Sequence, residues 1–136
     1  MVREIVRDMF FLGRVSRPAS VEDIPAAHDL LDTLKANAGR CVGMAANMIG
    51  VDRRIIVFDS GAGCVLMFNP RIIKRAGEYT AEEGCLSLDG VRTAKRWRSV
   101  KVEWQDENFR TRIKTFEGLT AQIIQHEIDH CDGILI

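Results

Sequence analysis

Two histidines four residues apart, in Gln125-His126-Glu127-Ile128-Asp129-His130, constrain this chain more than any other feature. On a helix that spacing projects both imidazoles from one face, where they can share a metal ion. Glu127 lies about 100° round the helix from His126. It therefore stands beside the ion without ligating it, and can take a proton from an activated water. Leu119, Ile123, Ile124 and Ile128 put apolar residues on more than one side of the same segment. Residues 119–131 are thus expected as a central, buried helix, introduced by Gly118 and closed by Gly133.

The third ligand has to come from elsewhere. Zinc-protease patterns usually take it from downstream, but of the six residues after His130 only Cys131 and Asp132 qualify, and both point away round the helix. Upstream, Cys85 in Glu83-Gly84-Cys85-Leu86-Ser87 is the best candidate, set between a glycine-bearing turn and short apolar residues. A thiolate and two imidazoles leave one coordination position open, which marks a catalytic rather than a structural site. Glu83 is near enough in sequence to Cys85 to support the ligands or the substrate region.

Three segments carry a family resemblance: Gly43-Met44-Ala45-Ala46-Asn47-Met48-Ile49-Gly50, Glu83-Gly84-Cys85-Leu86-Ser87 and the histidine segment. In order and content they resemble the three motifs of the polypeptide deformylases, GxGLAAxQxG, EGCLS and QHExDH. The second and third match at every fixed position. In the first, Cys41 replaces the opening glycine, Met44 a leucine and Met48 the glutamine.

The resemblance implies a metal-dependent enzyme that hydrolyses the N-formyl group from the starting methionine of new polypeptides. It implies Cys85, His126 and His130 as ligands, Glu127 as the proton carrier, and the backbone N–H of Leu86 as a donor to the formyl oxygen. Peptide backbone would run beside Val42 and Gly43, with Arg92 in the substrate region and the methionine side chain among Leu119, Ile123 and His126. The metal would be Fe(2+) in the cell, with Zn(2+), Ni(2+) or Co(2+) able to occupy the site; the donor set suits iron and zinc alike. Met48 cannot donate a hydrogen bond, so one contact to the developing oxyanion is lost, and neighbouring Asn47 is the alternative donor. The substrate partner is an N-formyl-methionyl peptide, and a transient ribosome contact fits the same role.

Composition narrows the field. Lys plus Arg equals Asp plus Glu at 19 each, so no net field favours nucleic acid, a membrane or an acidic partner. No run approaches the ~18 apolar residues of a membrane span, and the N-terminus, with charges among its apolar residues, offers no export signal. A cytoplasmic location and reduced cysteines are the expectation. At 136 residues the chain is expected to form one domain, 1–136.

Read in order, residues 1–19 suggest an extended arm packing Phe10, Phe11 and Leu12 on the body. Ser20 and Asp23 form a capping box, Pro25 fits a first helical turn, and Ala27, Leu30, Leu31, Leu34 and Ala38 recur at helical spacing until Gly39. His28 on that helix reads as a surface residue. The run 55–58 reads as a buried strand and 64–68 as a second, closed by Asn69-Pro70, with Cys64 a small buried hydrophobe. The basic tract Arg92, Lys95, Arg96, Arg98 and Lys101 interleaves with Trp97 and Trp104, a pattern also seen in nucleic-acid binders. Alternation of Val100, Val102 and Trp104 with Ser99, Lys101 and Glu103 instead fits a half-buried strand with a charged outer face. Asp106-Glu107-Asn108 turns the chain back through 110–116, and Ile134-Leu135-Ile136 reads as an edge strand or a core plug. The class is α+β: antiparallel sheets around a central C-terminal metal-binding helix, with a second helix near the N-terminus. Three other readings compete: a weakened deformylase-like binder of peptide ends, a small metallopeptidase, and a structural zinc module closed by Cys41 or Cys131.

Overall fold

A computed structural model describes residues 1–136 as three helices and one five-stranded antiparallel sheet. The helices are α1 (Met9–Leu12), α2 (Ile24–Ala36) and α3 (Gly118–Cys131). The strands β1 (Gly43–Ala45), β2 (Ile55–Asp59), β3 (Cys64–Gly84), β4 (Val91–Gln105) and β5 (Thr111–Glu117) lie in sequence order.

Why the run Ile55-Ile56-Val57-Phe58 is apolar without alternation follows from the layers. Both faces of β2 are covered, as in any strand whose two sides meet helices. Ile55 and Val57 pack with Phe68, Met48 and the α2 residues Leu30 and Leu34. Ile56 and Phe58 pack on the other side with Met67, Val100, Val102 and the α3 residues Ile124 and Ile128. The metal-motif helix is thus a core element, and its motif residues Gln125 to Ile128 are all buried.

Ser20 and Asp23 form the reciprocal cap, the Ser20 N–H donating to Asp23 at 2.8 Å. They cap a short 3-10 turn, Val21–Asp23, that runs into α2. The helix stops at Ala36, before Ala38, because the Asn37 side chain caps it by donating to the Thr33 carbonyl at 2.8 Å. His28 is exposed.

Four expectations need correction. Asn69-Pro70 does not close a strand: β3 continues to Gly84, and the pair forms a bulge between Phe68 and Arg71, with Asn69 at φ 52°. Proline lacks the donor a regular ladder needs, so the strand bends there instead of ending. The Asn69 side chain fixes the bend by accepting from the Ala19 N–H at 2.7 Å and donating to Gln105 at 2.6 Å. Cys64 is exposed, since it starts β3 opposite Asp59 beside a solvent turn. The arm contains α1 rather than extended chain, and Phe10 is 91% exposed while Leu12 alone is fully buried. A one-turn helix can bury only one of three consecutive side chains. Of the two readings of the tail the edge strand is absent, and the core plug fits Ile136, which is buried, but not Ile134, which is exposed. Gly133 makes the exit from α3 at φ 73°, where a Cβ would fall 2.6 Å from the Gly13 carbonyl oxygen.

Candidate metal centre

Helix α3 brings His126 and His130 together by its own pitch, and the Cys85 segment reaches them because β3 ends there. The Nε2 atoms of the two histidines are 3.1 Å apart, and Cys85 Sγ is 3.3 Å from His130 Nε2. These three donor atoms all lie within 4.8 Å of one another. The thiol also accepts from the Ser87 N–H at 3.4 Å, which curls the loop round it. Cys41 and Cys131 do not join the cluster; Cys131 is buried in the core against the sheet.

A buried ion-pair network holds the first histidine. His126 Nδ1 meets Glu83 Oε1 at 2.8 Å, and Gln122 donates to the other Glu83 oxygen at 2.9 Å. Arg96 grips Glu83 with Nη2 at 2.6 Å and Nε at 2.9 Å, and its Nη1 donates to Asp129 at 2.7 Å. Burial works against the Glu83 charge, but bonds from His126, Arg96 and Gln122 outweigh it and draw its pKa down to about 2. The carboxylate therefore stays ionised and holds the Nδ1 proton, leaving Nε2 free as a ligand atom.

The residues fit a divalent cation on their own chemistry. Two imidazole nitrogens and a sulfur converge, and the Glu127 carboxylate beside them has a buried oxygen, Oε1, with no protein partner. In the metal-free protein burial pushes Glu127 up to about 7, with His126 opposing and Glu83 assisting. A carboxylate poised there exchanges protons near neutral pH. Gly43 is required by this packing, because a Cβ at that position would lie 2.9 Å from Glu127 Oε2 and 2.8 Å from Ile123 Cγ2. Cys41, close by, is a thiol raised to about 11 by burial and by the Glu127 charge.

A cleft of about 780 Å³ opens over this cluster. Val42, Gly43, Leu86, Leu119, Ile123 and Glu127 line it. Cys85 and His126 line it too, whereas Met48, Asn47 and Arg92 lie elsewhere. Met48 is buried in the core below, its sulfur 3.5 Å from the Ala45 N–H that donates to it. Asn47 is buried too, and its amide donates to the His130 carbonyl at 2.9 Å. Arg92 pairs with Glu83 across the β3–β4 ladder and donates to the Asp89 carbonyl at 3.1 Å.

Sequence reading missed the role of Arg96, which it left in the basic tract. Alternation alone did not mark it, because counting back by twos from Val102 and Val100 meets exposed Arg98 before buried Arg96 and Ala94. Sequence reading likewise left Gln125 unassigned. That amide clamps the β4 backbone, accepting from the Trp97 N–H and donating to the Trp97 carbonyl, both at 2.8 Å.

Comparison with known proteins agrees with this geometry. A sequence model of the polypeptide deformylase family matches residues 11–136. A peptide deformylase of Clostridium beijerinckii is 50% identical over 136 residues, all of both chains. One from Dictyoglomus thermophilum is 37% identical over 141 aligned positions, covering 100% of this chain and 91% of that one. Among solved structures, peptide deformylase from Thermus thermophilus superposes with a TM-score of 0.86 at 35% identity, over 99% of this chain and 83% of that one. A Met-Ala-Ser-bound class I type b deformylase from Acinetobacter baumannii gives 0.88 at 26% identity, over 99% and 97%. Since the family match runs through both the cleft and the cluster, and one relative is half identical from end to end, the chain belongs to the polypeptide deformylase family.

Proposed function

We propose that residues 1–136 act as one unit that hydrolyses the formamide at the N-terminus of new polypeptides, releasing formate and a free methionine amine. The activity is that of the family. The observation that carries it to this site is the unpartnered, buried oxygen of Glu127, a residue that lines the cleft together with Cys85 and His126 of the donor cluster.

Cys85, His126 and His130 would hold the ion, which when bound supplies Lewis acidity that brings the pKa of water near neutrality. The attacking water loses its proton to Glu127 as its oxygen bonds to the formyl carbon. The C–N bond then breaks, and Glu127 returns the proton to the departing amine. The Leu86 N–H is the backbone donor for the oxygen that gains negative charge. Peptide backbone runs along Val42 and Gly43 at the cleft wall, while Leu119 and Ile123 receive the methionine side chain. Arg92, on the rim strand beside Asp89, serves the substrate region.

The resident ion is Fe(2+) in this reading, with Zn(2+), Ni(2+) or Co(2+) able to substitute. The setting is cytoplasmic, with transient contact to the ribosome where the substrate emerges. None of the helices is long and apolar enough to cross a membrane. The test is an anaerobic assay on formyl-Met-Ala-Ser with iron kept reduced, run beside a peptide offering only internal bonds. Release of formate from the first and none from the second supports the reading; cleavage of internal bonds would replace it with a peptidase.

A second reading has one observation behind it. Met48 offers no donor and its sulfur is turned to the Ala45 N–H, so a slow enzyme that chiefly binds peptide N-termini would show tight Met-Ala-Ser binding with little formate release.

A further inference from the structure

The two metal-motif histidines are held unequally. His126 has Glu83 at its Nδ1, whereas His130, fully buried, has no protein partner at Nδ1. If His130 offers Nε2 to an ion, the neutral ring carries its proton on Nδ1, and that N–H must be hydrogen-bonded where water is excluded.

Besides the Glu127 oxygen, two other buried side-chain atoms lack partners: Asn47 Oδ1 and Ser87 Oγ, on residues 1% and 2% exposed. Asn47 contacts His130 directly, and Ser87 lies on the loop that brings Cys85 to it. The Asn47 amide donates to the His130 carbonyl at 2.9 Å, which ties the turn Ala46–Ile49 to the end of α3. Ser87 belongs to the loop wound round Cys85, whose sulfur lies 3.3 Å from His130 Nε2. That loop packs against the same core cluster as the 46–49 turn, since Cys85 and Leu86 touch the cluster containing Ala46, Met48 and Ile49. The three unpartnered atoms are chemically complementary: one donor, one acceptor, and one hydroxyl that does both.

We propose that Asn47 and Ser87 are positioning residues for His130: no two of the three atoms bond directly, and a buried water accepts from the Nδ1–H and links it to the Ser87 hydroxyl and Asn47 Oδ1. Polar, enclosed sites with two or three partners of this kind hold ordered water. Asn47 then acts twice. Its amide fixes the backbone of His130, and its carbonyl ends the chain that fixes the ring. This assigns Asn47 to the ligand and not to the oxyanion, and it rests on the metal-site reading above.

The test uses the full chain loaded with zinc. Wild-type protein should bind one zinc, and ¹⁵N-histidine spectra should show a slowly exchanging Nδ1–H on His130; absence of zinc binding would sink the metal reading itself, and this proposal with it. Ser87→Ala leaves the His130 carbonyl contact untouched, so it isolates the ring. It should weaken zinc binding roughly 10- to 100-fold in a chelator competition and speed exchange of that proton. Ser87→Thr, which keeps the hydroxyl, should restore both. Asn47→Ala should show the same two changes, with a lower melting temperature from loss of the helix-end contact. If Ser87→Ala leaves both the His130 Nδ1–H exchange and the zinc affinity at wild-type values, the water-mediated link does not exist, whatever Asn47→Ala does to folding.

Discussion

Replacing Arg96 by methionine tests whether the site is held from behind by a buried charge. The guanidinium is 3% exposed and makes bonds of 2.6 and 2.9 Å to Glu83 and 2.7 Å to Asp129. Methionine fills much of the volume but strands Glu83, whose side chain is only 6% exposed. Removing one partner of a buried ion pair costs about 3–5 kcal/mol, because the remaining charge is left uncompensated. With an unfolding entropy of roughly 2.1 cal/mol/K per residue, a chain of this length loses about 3.5 °C per kcal/mol, or roughly 10–17 °C in all. Asp129 adds little, being partly solvated. The second consequence falls on the ion: Glu83 no longer holds the Nδ1 proton of His126 firmly, and zinc affinity should drop roughly tenfold or more. Calorimetry and chelator competition measure the two effects. The double variant Arg96→Met with Glu83→Gln should recover part of the melting temperature, since it removes the stranded charge. A melting temperature within about 2 °C of wild type for Arg96→Met alone, with unchanged zinc affinity, would refute the reasoning.

Cys85→Ala, His126→Ala and His130→Ala should each lose tightly bound metal, while Glu127→Ala keeps it and loses turnover; metal analysis and the formate assay on the same samples separate ligands from base. Met48→Gln should raise kcat more than it changes KM if that position can reach the formyl oxygen, because a donor that strengthens as charge develops acts on the transition state. Equal kcat values for the two proteins would show that the Leu86 N–H and the ion stabilise the oxyanion without it. In metal-free protein, Glu127 has a folded pKa near 7, above its unfolded value, so the unfolded state binds fewer protons between about pH 4.5 and 7 and stability falls as pH rises through that window. Between pH 5 and pH 7 the loss should amount to about 2 kcal/mol and be absent in Glu127→Gln; urea midpoints at the two pH values check it, and an equal change for the two proteins would contradict it.

Much of this was legible in the residues because short-range periodicity and motif spacing are local. The pitch of a helix places His126 against His130 whatever surrounds them, and the apolar run at 55–58 announces a strand with both faces covered. Cys85 could be picked as the third member of the donor cluster because the downstream candidates face the wrong way. What escaped the sequence depends on register. Arg96 looks like one more member of a basic tract until β4 is laid against β3 and α3, and only then does its position become interior. Asn69-Pro70 carries the chemistry of a strand end, and the contacts with Ala19 and Gln105 that turn it into a bend come from 50 and 36 residues away. Phe10 and Cys64 failed for the opposite reason: apolar character alone does not say which residues a one-turn helix or a strand start will cover.

Because α3 is both the core of the molecule and the carrier of three of the functional side chains, the chemistry sits on the element that should open last. Amide exchange from 123 to 130 ought to report global unfolding, and the histidines have no local breathing mode by which to leave an ion. Of the three clustered donors, only Cys85 lies off the helix, on the irregular stretch from Cys85 to Gly90 that joins β3 to β4. Stiffening that loop would be expected to slow exchange of the ion and turnover together.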